Sequence, residues 1–152
     1  MHRNTHSQNR IIRALLYTGM ALTVFATLLF PLIDRATTTF LADHIQQTYP
    51  GYDPAEVGNA VTAYLVILSI VGVLGIGGWY LTIRAMRSGT GWTRWVATGL
   101  LAVAVLIVSY ALTARDTSGE LGLAPLMGWL QVLPLLPGVA AVVLLWRGEA
   151  RG

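Results

Sequence analysis

The chain has 152 residues, enough for one domain, and 55% are hydrophobic against 11% charged, with a mean hydropathy of +0.61. A soluble domain carries about 25% charge, so a water-soluble globule and an intrinsically disordered chain are both excluded. The net charge is +3, all ten basic residues are arginine, and cysteine is absent, which rules out disulfides, thiolate metal sites and cysteine nucleophiles. An all-arginine set reads as the bias of GC-rich coding sequence, with selection of the guanidinium for phosphate as the alternative. The arginines are scattered around apolar segments and form no basic stripe, so they point to a membrane and not to nucleic acid.

Charged residues divide the chain into four uncharged stretches, 14–33, 57–83, 95–114 and 121–146. A hydrocarbon layer about 30 Å thick is crossed by about 20 helical residues. Backbone in lipid must satisfy its own hydrogen bonds, so each stretch is predicted to be a helix. The expected spans are 12–32, 58–82, 94–114 and 125–146, in a single transmembrane domain covering 1–152.

Arg3, Arg10 and Arg13 precede the first span like the positive region of a signal peptide. Its apolar part is longer than the usual 7–15 or so residues, however, and the exit Phe30-Pro31-Leu32-Ile33-Asp34 offers no small-residue cleavage site. A retained signal-anchor helix is expected. Between spans one and two, residues 34–53 form a long loop in which Phe40, Leu41, His44, Ile45 and Thr48 recur at helical spacing. This predicts a short amphipathic helix of about three turns, on the outer membrane surface or across the bundle mouth. Residues 36–52 are also the candidate lid or partner-binding segment. Tyr49-Pro50-Gly51-Tyr52 ends that helix, and Asp53-Pro54-Ala55-Glu56 has the pattern of a capping box at the start of the next, with Tyr52 and Val57 at hydrophobic-staple spacing. Asp34, Asp43 and His44 match no metal-ligand spacing, and His2 and His6 lie on a polar tail.

The second span carries Ser69, Gly72, Gly75 and Gly78 at intervals of three, plus Gly77. With Gly19 and Thr23 in the first span and Ala97, Gly99 and Ala102 in the third, these small residues predict close helix packing. A ligand groove or a homodimer face is the alternative. Trp79, Tyr80, Trp92, Trp95 and Trp146 fall at the arginine-rich ends of spans, and Tyr110 and Trp129 at the other ends, as headgroup anchors do. In the fourth span Pro134 and Pro137 fall mid-helix, followed by Gly138, so the carbonyls of Leu130 and Leu133 lose their usual donors. Gln131, Ser69, Thr98 and Ser109 are the candidates to compensate. A polar kink site built from Gln131, Pro134, Pro137, Ser69 and Ser109 is the candidate ligand site.

No ionisable residue is expected in the core of any span, which argues against an ion-coupled pump and against intramembrane hydrolysis. Eight arginines (Arg3, Arg10, Arg13, Arg84, Arg87, Arg94, Arg147, Arg151) fall on one side and only Arg35 and Arg115 on the other. The positive-inside rule then places both termini in the cytoplasm. Asp34, Asp43, Asp53, Glu56, Asp116 and Glu120 fall outside.

The run Tyr49-Pro-Gly-Tyr-Asp-Pro-Ala-Glu-Val57, with Gly77-Gly-Trp79, Ile83-Arg-Ala-Met-Arg87, Trp92-Thr-Arg-Trp95 and Arg115-Asp-Thr-Ser-Gly119, resembles small four-span membrane proteins of high-GC bacteria. The resemblance implies an inner-membrane topology and no particular chemistry. DoxX-like proteins and small multidrug transporters share only the span count, and the latter rely on an intramembrane acid not expected here. The reading is therefore an all-α integral membrane four-helix up-down bundle, with neither cofactor nor metal. It is expected to be non-enzymatic and to act through helix–helix or lipid contacts. Its partners would be the bilayer and a second copy or another membrane protein. A small transporter or lipophilic-ligand carrier using the kink in the fourth span is the rival.

Overall fold

The computed structural model describes residues 3–89, 91–115 and 119–149, with side chains described between 7 and 148. His2, Asp116 and Arg151, and the side chains of Arg3 and His6, lie outside the described residues. The elements are α1 (Arg3–Val24), a π-turn (Phe25–Leu29), α2 (Phe30–Thr37), α3 (Phe40–Thr48), α4 (Pro54–Arg87), α5 (Thr93–Thr113), α6 (Pro125–Leu130) and α7 (Leu135–Glu149). Among the described residues, four helical stretches are long and apolar enough to cross a membrane: Ser7–Thr37, Pro54–Arg87, Thr93–Thr113 and Pro125–Gly148. The protein is thus an all-α bundle of the kind that fits a multi-pass membrane protein.

The spans form a ring in chain order. The first packs beside α4 and α7, and α5 packs beside the same two, so α4 and α7 lie across the diagonal. At one end Gln8 donates to the Leu144 carbonyl (2.8 Å), Arg87 to the Tyr17 hydroxyl (3.2 Å) and Thr93 to the Ala85 carbonyl (2.9 Å). Ile12, Leu16, Ile83 and Ala141 form the core there. Arg94 lies over the Trp146 ring at 4.8 Å, with Trp95 edge-on to the same ring at 5.1 Å. The described arginines of this end are Arg10, Arg13, Arg84, Arg87, Arg94 and Arg147, and Arg35 and Arg115 belong to the other.

At that other end, α3 lies across the bundle mouth. Its Leu41 and Ile45 join Val57, Val61, Leu68, Ala124 and Met127 in a second core, and the His44 ring pairs with the Leu121 carbonyl at 2.8 Å. The α4 start follows the capping-box expectation: Asp53 accepts from the Ala55 and Glu56 amides while Glu56 accepts from the Asp53 amide, each at 2.8 Å. Tyr52 stacks on Tyr49 at 4.7 Å.

Three expectations are corrected. The helix of the first span does not stop at residue 32; it continues through α2 to Thr37, and Asp34 lies inside it, 2% exposed. The reason is chemical: Asp34 is the cap of α3. Its carboxylate accepts from the Phe40 amide (2.8 Å), the Leu41 amide (3.1 Å) and the Thr38 hydroxyl (2.6 Å), satisfying donors that a helix start leaves orphaned. The fourth span is not one helix but two, α6 and α7, joined by turns at 131–134. Finally, Trp79 is no interfacial anchor. It points into the bundle, where its indole N–H donates to the Thr23 hydroxyl at 2.9 Å.

Candidate functional site

Pro31 explains the π-turn. The Phe30 amide bonds back five residues to the Phe25 carbonyl. In that register the carbonyl of Ala26 would look for the N–H of residue 31, which proline lacks. Ala26 is fully buried, and a buried carbonyl without a donor is costly. Its donor comes from another span: Gln131 Nε2 donates to the Ala26 oxygen at 3.1 Å. Gln131 was expected to compensate its own helix, and it does not. The Leu130 and Leu133 carbonyls accept instead from the amides of Leu133 and Leu136 in tight turns, each at 3.3 Å.

Two interrupted helices therefore face each other at one depth, bridged by one amide side chain. Interruptions of this type are frequent at functional sites and, in membranes, are tolerated where they are buried in protein or line a cavity. A cavity is present. It has a volume of about 490 Å³, all four spans contribute to its wall, and Gln131 and Pro134 lie on it. Small-molecule sites occupy about 300–1,000 Å³. Its exposed lining residues, Val73, Leu74 and Leu81 of α4 and Val103 and Ile107 of α5, mark an opening between these two helices. The polar wall is Thr23, Thr27, Thr82, Trp79 and Gln131, and no lining residue is ionisable.

The other sequence candidates are placed elsewhere. Pro137 is buried but off the cavity wall, Ser69 donates to the Leu65 carbonyl of its own helix, and Ser109 is exposed on α5. Thr98 donates to the Arg94 carbonyl and accepts from Trp146. Among the packing glycines, a Cβ on Gly19 would enter the Trp79 ring and one on Gly72 would meet the Thr27 hydroxyl. At Gly75 it would lie 2.9 Å from Thr23 Cγ2, and at Gly78 in ordinary contact with Leu100. Gly99 has nothing within 4 Å and takes no part in packing. Gly138, singled out in the sequence only as following Pro137, is also a packing glycine: a Cβ there would lie 3.3 Å from the Trp79 ring. Sequence reasoning missed Pro31, which read as the exit of a span.

The bridge is testable by itself. Gln131→Leu leaves the Ala26 carbonyl buried without a donor and is expected to cost about 2 kcal/mol of stability. In a Pro31→Ala background, which restores an N–H at position 31, the same change should cost markedly less. Thermal unfolding of the four proteins in one detergent checks this.

No protein-family model, no curated protein and no solved structure matches the chain.

Proposed function

We propose that the chain is a non-enzymatic multi-pass protein of a bacterial plasma membrane, with both termini cytoplasmic, that takes an apolar chain from the bilayer into its central cavity. The observation carrying this reading is the cavity itself: apolar, without an ionisable wall residue, and open sideways between α4 and α5. A side opening at membrane depth admits lipid without passage through water. The segregation of arginine to one end of the bundle supports the orientation, and the absence of any acid–base pair on the wall supports a binding role over catalysis.

The test is native mass spectrometry of protein extracted gently from membranes. A co-purifying lipid is expected on the unaltered chain and is expected to be lost in Ala104→Trp, which places an indole in the cavity from α5. Equal lipid retention by both proteins would remove the proposal. Action through a second copy or another membrane protein is the second reading. It is favoured by α5, where Leu106 and Tyr110 are exposed and Gly99 has open space beside it.

A further inference from the structure

We infer that the occupant of this cavity is an uncharged long-chain lipid bearing a free hydroxyl, which donates its proton to Gln131 Oε1. The inference rests on the proposal that the cavity holds an apolar chain, and it assigns the chemistry of that chain's polar end.

Gln131 is only 7% exposed. Its Nε2 is engaged with the Ala26 carbonyl, while its Oε1 accepts no hydrogen bond among the described residues, although an amide oxygen has two lone pairs. That oxygen belongs to a side chain on the wall of an apolar cavity, where a ligand donor would supply the hydrogen bond that the protein does not. The rest of the wall points to the same kind of ligand. The hydroxyl of Thr23 donates to the Gly19 carbonyl (2.9 Å), that of Thr27 to the Thr23 carbonyl (2.7 Å) and that of Thr82 to the Gly78 carbonyl (3.0 Å). The Trp79 indole proton goes to Thr23. Every hydroxyl and indole proton on the wall is therefore committed within the protein. What faces the cavity is acceptor lone pairs, together with one remaining amide N–H of Gln131.

A ligand with an O–H group matches such a surface. An ester or ketone, which only accepts, finds a single N–H. A phosphate or carboxylate finds no cation on the wall and would have to be desolvated unpaired. The shared chemistry, a neutral lipid alcohol, covers both single-chain alcohols and diacylglycerol.

The experiment uses the full chain in phosphatidylcholine nanodiscs with three photoreactive probes of one length: a hexadecanol carrying a terminal diazirine, its methyl ether, and the corresponding fatty acid. A diacylglycerol with the same diazirine on one chain distinguishes the two sources of the hydroxyl. The alcohol is expected to label residues of the cavity wall, and to do so at about tenfold lower concentration than the ether. The acid, ionised at pH 8, should label least. Gln131→Leu should erase the alcohol's advantage over the ether, and Ala104→Trp should abolish cavity labelling by both. The alcohol-to-ether ratio is read on the unaltered chain and so does not depend on a variant folding. Equal labelling by alcohol and ether overturns the hydroxyl assignment while leaving a lipid cavity in place. Labelling confined to the outward faces of α4 and α5, insensitive to Ala104→Trp, overturns both.

Discussion

Asp34→Ala is expected to release α3 from the end of the bundle and to lower stability by about 3 kcal/mol. The carboxylate stands within α2 yet serves the next helix, accepting two α3 amides and the Thr38 hydroxyl. Its backbone carbonyl also accepts from the Thr38 and Thr39 amides at 3.1 and 2.9 Å. Between the helices Thr39 is held at φ 57°, a left-handed conformation unfavourable for a β-branched residue. Such strain persists only where the surroundings over-determine it, and Asp34 is what over-determines it here. Without the carboxylate, the Phe40 and Leu41 amides lose their acceptor, the turn loses its clamp, and Leu41 and Ile45 leave the core they share with Val61 and Met127. Asp34→Asn, which keeps one acceptor but turns an N–H toward one of the donors, should fall between, at a cost of about 1.5 kcal/mol. Hydrogen exchange read by peptide should show protection lost across 40–48 and kept in α7. Unchanged protection of 40–48 in Asp34→Ala would refute the capping role.

Asp34 also shows where sequence reading stops. The α4 cap was legible because its partners are three residues apart and both are side-chain signals, Asp53 and Glu56. The register of α3 was legible because burial of Leu41 and Ile45 leaves a periodic trace. The cap of α3 was not, since the groups Asp34 serves are backbone amides six and seven residues away, which any residue type supplies. A charged residue at the end of an apolar run reads as the end of the span, although a helix continues through a carboxylate whose lone pairs are filled. The π-turn escaped for a related reason. Pro31 stands where a span was expected to end, and only the distant Gln131 reveals that the carbonyl it orphans lies inside one. The kink at Pro134 was legible as an interruption. Its compensation was not, because turns solved it locally and left Gln131 for another span. The site is thus half visible in the sequence: Gln131 and Pro134 from the fourth span and Thr23 from the first, but not the π-turn or the Ala26 carbonyl that Gln131 serves.

Gly19 and Trp79 define the second large effect, and one with a signature that separates it from general damage. The indole lies between Gly19 of α1 and Gly138 of α7, with its N–H on Thr23. Position 19 has to be glycine because any Cβ there would occupy the ring itself. Gly19→Leu is therefore expected to push α1 from α4 and to cost about 3 kcal/mol, at the upper end of overpacking. Trp79→Ala removes a large side chain from the bundle interior, enlarges the adjoining cavity and is expected to cost about 3 kcal/mol. Residues in direct contact do not add independently, and here the sign of the coupling follows from shape. In the double variant the leucine enters the space the indole has left, so the combined cost should fall short of the sum by about 2 kcal/mol. The same pairing with Gly72→Leu, whose added side chain meets Thr27 and not Trp79, should show no such relief. Thermal unfolding of the two cycles in one detergent decides the matter. Additive costs in the Gly19–Trp79 cycle would mean that the indole does not hold the position between α1 and α7 that makes glycine necessary there.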